Sequence, residues 1–198
     1  LRTLLSGQAI AIVLLMMIPP IEVVYARESL DAGDVGYGLL LAAWGVGMVL
    51  GSLLFARESR RPILIVVAIG TGIQGLAYLG MAAAPGLALA CAAAVLGGAG
   101  NGMQWVSVVT AVQEATEERF QARVAGLMES LVTGAPGVGF LLGGAVTSLA
   151  TPRVTLLVSG AGIVTVVVIG ALLVGPEAMR SLSARVPGGD DAAADPAR

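Results

Sequence analysis

Six long apolar stretches fill almost the whole chain and restrict its fold more than any other feature. The hydrocarbon core of a bilayer is about 30 Å thick, so a spanning helix needs about 20 mostly apolar residues. Lipid offers the backbone no hydrogen-bond partners, so only helices and closed barrels cross it, and continuous apolar runs favour helices. The sequence therefore predicts an all-α membrane protein, a bundle of six transmembrane helices. The predicted spans lie at about residues 4–26, 35–56, 62–83, 87–112, 124–149 and 153–175.

Composition agrees with a lipid environment. Hydrophobic residues make up 57% of the chain and charged residues only 12%, whereas a soluble domain carries about 25% charged residues. Cys91 is the only cysteine and histidine is absent, which excludes an internal disulfide and disfavours a Cys/His metal site. The glycines from Gly97 to Gly102 follow no predicted strand, so they do not form a nucleotide-binding loop. We expect no cofactor, no metal, no nucleic-acid partner and no enzyme activity.

The arginines predict the orientation of the chain, because lysine is absent and cytoplasmic loops are enriched in positive residues. One side of the membrane carries only Arg27 and Arg153, so the opposite side, with both termini, is predicted to be cytoplasmic. The chain is accordingly expected to be a multi-pass protein of the plasma (inner) membrane. Residues 176–198 are polar and are predicted to form a disordered cytoplasmic tail. The arginines of the cytoplasmic side are Arg2, Arg57, Arg60, Arg61, Arg119, Arg123, Arg180, Arg185 and Arg198.

Glu22 is the strongest candidate for a functional ionisable group. It follows Pro19 and Pro20, which are expected to kink the first span, and it lies about one turn inside the outer boundary of that span. Ionisable side chains are costly inside a bilayer and therefore indicate function. Glu22 is therefore a candidate for binding a proton or a cationic substrate. The alternative, an interfacial glutamate that reaches the outer water, is the favoured of the two interpretations.

Polar and aromatic side chains near mid-depth form a second group of candidates. Asn101, Gln104 and Trp105 share one face of the fourth span because they lie three and four residues apart. The two amides are candidates for hydrogen bonds to substrate and Trp105 for stacking on an aromatic substrate. The alternatives are hydrogen bonding between helices and simple packing. Gln74, near the middle of the third span, has the same two interpretations, of which hydrogen bonding between helices is favoured.

Three glycine-rich segments occur in an order and spacing that resemble a known family. Gly45–Leu64 is similar to the glycine-then-basic loop that joins the second and third helix of each half of a major facilitator superfamily transporter. Gly98–Leu127 resembles the fourth helix and the following loop of such a half. Gly134–Gly160 is similar to the glycine-proline antiporter motif, here in the repeat-related fifth helix. Together they resemble the C-terminal half, spans seven to twelve, of the drug and siderophore efflux branch.

This resemblance implies a secondary transporter that exports small hydrophobic or amphipathic compounds in exchange for protons. In the family the substrate binds near the midplane between two six-helix halves, so the N-terminal half would be a partner that is missing here. The first residue, Leu1 rather than Met, fits this interpretation. Two other interpretations remain, a complete six-span half-transporter that acts as a homodimer and a membrane scaffold protein that transports nothing.

The resemblance also concerns the cytoplasmic loops. Phe55 and Ala56 occupy the place where the family usually has an aspartate, and Ala122 stands where a glycine usually precedes the arginine. Glu129 is expected to pair with Arg123 or Arg119. A role in the cytoplasmic loops and in gating is implied for Arg57, Arg60, Arg61, Arg123 and Glu129. Close packing or bending of helices is predicted for Gly47, Gly51, Gly134, Pro136, Gly139 and Gly143.

Overall fold

The computed structural model describes residues 2–57, 63–116, 119–123, 126 and 136–173. All regular structure in these ranges is helical, which confirms the predicted all-α class. The α-helices are α1 (Arg2–Leu15), α2 (Glu22–Val24), α3 (Gly33–Arg57), α4 (Ile63–Ala83), α5 (Leu87–Ala115), α6 (Pro136–Leu149) and α7 (Pro152–Leu173). The stretches long and apolar enough to cross a membrane are Ala9–Ser29, Gly33–Leu54, Ile65–Ala83, Leu87–Thr110 and Pro152–Leu173, while Pro136–Leu149 is apolar but shorter.

The first apolar stretch is not one continuous α-helix. After α1 come a turn, a 3₁₀ helix (Pro19–Ile21), the single turn of α2, and a π-helical turn (Tyr25–Ser29). Both prolines lack an N–H group, so the carbonyls of Leu15 and Met16 lose the donors that an α-helix supplies four residues later. The proline pair therefore divides the span into short helices of different pitch. We call residues 16–29 the broken segment.

Glycines bring α3 and α5 into direct backbone contact. A Cβ added to Gly51 would lie 2.6 Å from the carbonyl carbon of Ala99, and one added to Gly98 would lie 2.9 Å from the carbonyl carbon of Trp44. Both distances are shorter than side-chain contacts allow, so only glycine permits this approach. The glycines of this contact are Gly47 and Gly51 on α3, and Gly98 and Gly102 on α5.

The fourth helix, α4, packs against both α5 and α7 through further glycines. Gly70 of α4 and Gly100 of α5 face each other, and a Cβ on Gly70 would lie 2.6 Å from the carbonyl oxygen of Gly100. Gly75 and Gly160 of α7 make a similar contact, in which a Cβ on Gly160 would lie 2.7 Å from the carbonyl oxygen of Gly75. These contacts fix α4 at short distance from two neighbours.

The sixth helix, α6, packs on α1 and on the broken segment. Pro136 is the first described residue of this helix. A Cβ on Gly139 would lie 2.8 Å from the carbonyl oxygen of Val13, and one on Gly143 would lie 2.9 Å from the carbonyl carbon of Met17. These glycines therefore let α6 approach the carboxyl end of α1. The predicted residues Arg60, Arg61, Glu129 and Gly134 and the predicted tail lie outside the described residues.

Large apolar side chains cover much of the outer surface of the helices. On α3 they form a wide exposed face, which α5 does not cover. An aqueous protein rarely exposes contiguous apolar surface of this extent, so this face fits lipid or another apolar helix. Its members include Leu39, Leu41, Val46, Val49, Leu50, Leu53 and Leu54.

Candidate functional site

Three amide side chains form a hydrogen-bonded cluster between α4 and α5. The Nε2 of Gln74 donates to the Oε1 of Gln104 at 2.6 Å, and the Nδ2 of Asn101 donates to the Oε1 of Gln74 at 3.2 Å. Gln74 is only 1% exposed, whereas Asn101 and Gln104 are half-buried. We call Gln74, Asn101 and Gln104 the amide cluster.

The close approach of α4 and α5 brings the amide cluster together. Gly70 lies one turn before Gln74 on α4, and Gly100 lies one turn before Gln104 on α5. Because these two glycines meet backbone to backbone, the longer side chains one turn away reach across the helix interface. Gln74 also donates from Nε2 to the carbonyl oxygen of Gly70 at 3.3 Å. Gln74 thus makes its contacts inside the bundle, while Asn101 and Gln104 remain open on one side.

The two tryptophans have different environments. Trp105 is 45% exposed and lies on the same face of α5 as Asn101, one turn further along. Trp44 of α3 stacks on the buried ring of Tyr78, with ring centroids 5.7 Å apart and planes at 10°. Trp44 is therefore occupied by an internal contact, and Trp105 is the tryptophan available to a ligand.

Glu22 begins α2, immediately after the 3₁₀ helix of the broken segment. Its side chain is half-buried, and it lies close enough to Tyr78 for the two groups to interact electrostatically. In the part of the chain that the structure describes, Glu22 forms no hydrogen bond and no ion pair. The carboxyl group therefore lies within an apolar helical stretch, and none of the described arginines forms an ion pair with it.

Long-range hydrogen bonds hold the broken segment in place. The hydroxyl of Tyr25 donates to the carbonyl oxygen of Met81 on α4. Arg153 of α7 donates from Nη2 to the carbonyl oxygen of Ser29 at 3.1 Å. The hydroxyl of Ser159, also on α7, donates to the carbonyl oxygen of Leu14 at 2.6 Å. The first two donors fix the broken segment, and the third fixes the end of α1 directly before it. None of these three hydrogen bonds was predicted from the sequence.

The predicted gating residues are only partly described. Arg57 is the last described residue of α3, and Arg123 is exposed in the short helical stretch at residues 119–123. Among the described residues, no hydrogen bond or ion pair joins Arg123 to Glu22 or to the amide cluster. Among the same residues, no group of three or more His, Cys, Asp or Glu side chains could hold a metal ion.

Long apolar helices, a broken first span and a polar cluster at mid-depth define a polytopic α-helical membrane protein. The family model of the Major Facilitator Superfamily matches residues 4–193, and the chain belongs to this superfamily. The match confirms the predicted superfamily. No curated protein matches the chain.

Proposed function

We propose that this chain is the C-terminal six-helix half of a secondary transporter that exports small hydrophobic or amphipathic compounds in exchange for protons. Membership of the superfamily supports membrane transport in general. The observation that carries the finer proposal is Glu22, a carboxyl group without a paired cation in the described structure, inside the apolar stretch Ala9–Ser29. A costly ionisable group in such a place is expected to serve proton or substrate binding.

The site that we propose has two parts. Glu22 is the proton-binding or cation-binding group, and its position in a segment of changed helical pitch supports a role in movement. Asn101, Gln104 and Trp105 are the substrate-facing group. Gln74 supports that group from inside the bundle, because its own amide is fully buried.

The proposal includes a partner and an orientation. The apolar exposed face of α3 supports packing against a second, N-terminal six-helix half. The distribution of arginines supports a plasma membrane protein whose termini are both cytoplasmic. Rocking of the two halves against each other would then expose the site to each side in turn.

Glu22→Gln tests this function directly. The chain is reconstituted in liposomes, together with the N-terminal half if the upstream reading frame encodes one, and ethidium transport is driven by an imposed pH gradient. We expect Glu22→Gln to abolish both ethidium transport and the accompanying proton movement, because an amide cannot bind and release a proton at this site. Glu28→Gln is the matched control, since Glu28 is exposed in the same broken segment and should leave both rates unchanged. Unchanged transport and proton movement in Glu22→Gln would overturn the assignment.

A further inference from the structure

The orientation of the amide cluster is fixed by one backbone group. The carbonyl oxygen of Gly70 can only accept, so the Gln74 atom that faces it must be the donor Nε2. The same Nε2 therefore requires an acceptor on Gln104, which is Oε1. The Oε1 of Gln74 in turn requires a donor on Asn101, which is Nδ2. The three hydrogen bonds are mutually consistent, and each amide has one possible orientation.

This orientation determines which atoms the cluster leaves for a ligand. The Nε2 of Gln104 and the Oδ1 of Asn101 have no hydrogen-bond partner among the described residues. Every buried polar side-chain atom described in the structure has a partner, so these two atoms lie open rather than sealed inside the bundle. The cluster therefore presents one donor and one acceptor, three residues apart on a single face of α5.

An aromatic surface adjoins this pair of atoms. The exposed indole of Trp105 follows Gln104 directly and lies one turn from Asn101. A flat apolar ring system stacks favourably on such a surface. The face therefore combines a directional polar pair with a place for an aromatic body.

We infer that this face binds, in preference to other aromatic compounds, those with an amide-type edge, in which a carbonyl oxygen and an N–H lie side by side. The substrate carbonyl accepts from the Nε2 of Gln104, and the substrate N–H donates to the Oδ1 of Asn101. Gln74 is a positioning residue that holds both amides in the orientation that the edge requires. This inference deepens the proposed function, because it names the chemistry of the transported compound.

Three small probes separate the two hydrogen bonds. Carbostyril is a bicyclic aromatic lactam with the complete edge, coumarin is the corresponding lactone without the N–H, and N-methylcarbostyril has a methyl group at that nitrogen. Binding of each to the full chain in lipid nanodiscs is measured by isothermal titration calorimetry. We expect carbostyril to bind about tenfold more tightly than either analogue, since the analogues leave the Asn101 acceptor without a partner. Equal binding of the three probes would overturn the inference.

Two variants assign the bonds to their residues. In Asn101→Leu, binding of carbostyril should fall to the level of coumarin, because the acceptor is lost. In Gln104→Met, carbostyril and coumarin should both bind about tenfold more weakly, because both accept a hydrogen bond from Gln104 through their carbonyl oxygen. Carbostyril should still bind more tightly than coumarin, because Asn101 is unchanged. Thr165→Val is the control, since the Thr165 hydroxyl is exposed on α7 and bonds only its own helix. An undiminished preference for carbostyril in Asn101→Leu would contradict the assignment. The comparison of probes on the unaltered chain stands even if a variant fails to fold.

The experiment distinguishes this inference from the proposed function. A preference for carbostyril, in a chain that moves no ethidium under a pH gradient, would support the site and overturn export. Ethidium transport that depends on Glu22, with equal binding of the three probes, would support export and overturn the amide-edge specificity.

Discussion

The contact between α3 and α5 and the anchoring of the broken segment are two different ways to hold helices together. At the first, glycines remove side chains so that two backbones touch. At the second, Tyr25, Arg153 and Ser159 reach from one element to a carbonyl oxygen of another. Lipid is as apolar as a helix surface, so neither contact is driven by the hydrophobic effect, and close packing or hydrogen bonds must supply the attraction.

The two kinds of contact should respond differently to mutation. A backbone contact has no flexible atom that could move aside, so an added side chain must push two helices apart. A single hydrogen bond can be removed while the surrounding atoms stay in place. The glycine contacts should therefore be the more sensitive to mutation, and the hydrogen bonds the more tolerant.

The largest effect is expected for Gly51→Val. Its new side chain would meet the backbone of Ala99, and overpacking of this kind costs about 3 kcal/mol. Gly45→Val is the matched control on the same helix, because nothing lies within 4 Å of a Cβ added there. Unfolding of both variants in mixed micelles, followed by loss of helical circular dichroism, measures the difference. A similar loss of stability in both variants would show that helix propensity and not the α3–α5 contact sets the cost.

The sequence predicted the glycine region better than the broken segment. Gly47 and Gly51 stand four residues apart, and small residues at this spacing indicate close helix approach whatever the partner is. Pro19 and Pro20 likewise indicate a disturbed helix from local chemistry alone. No local pattern identifies Ser159 as the residue that bonds Leu14, because that pairing depends on how α1 and α7 lie in space.

In the candidate site, too, some features follow from the local sequence and others depend on how the helices are arranged. The spacing of Asn101, Gln104 and Trp105 placed them on one helical face. Gln74 is buried and does not lie on that open face. Its burial depends on the close contact between Gly70 and Gly100, which are on two different helices. The sequence therefore yielded the residues of the cluster, whereas their division into open and buried members required the structure.

An intermediate effect is expected for Ser159→Ala. The variant removes the bond to the carbonyl oxygen of Leu14, which is 2.6 Å long, and bonds between membrane helices contribute about 0.6–1.7 kcal/mol. That carbonyl keeps a second bond from the N–H of Met17, so no buried group is left without a partner. We expect a loss of about 1 kcal/mol and faster amide hydrogen exchange across residues 16–29. Ser148→Ala, on exposed α6 surface, is the control, and equal exchange in the two variants would contradict an anchoring role for Ser159.

The smallest effect is expected for Arg27→Met. Arg27 and Asp34 form an ion pair of 2.6 Å, but the two side chains are 58% and 77% exposed. Water and salt screen such a pair, so it contributes less than about 0.5 kcal/mol despite its short distance. The same unfolding measurement, repeated at low and high salt, should show a small loss that disappears as salt increases. A loss as large as that of Ser159→Ala would mean that the broken segment depends on its surface charges as well as on its buried hydrogen bonds.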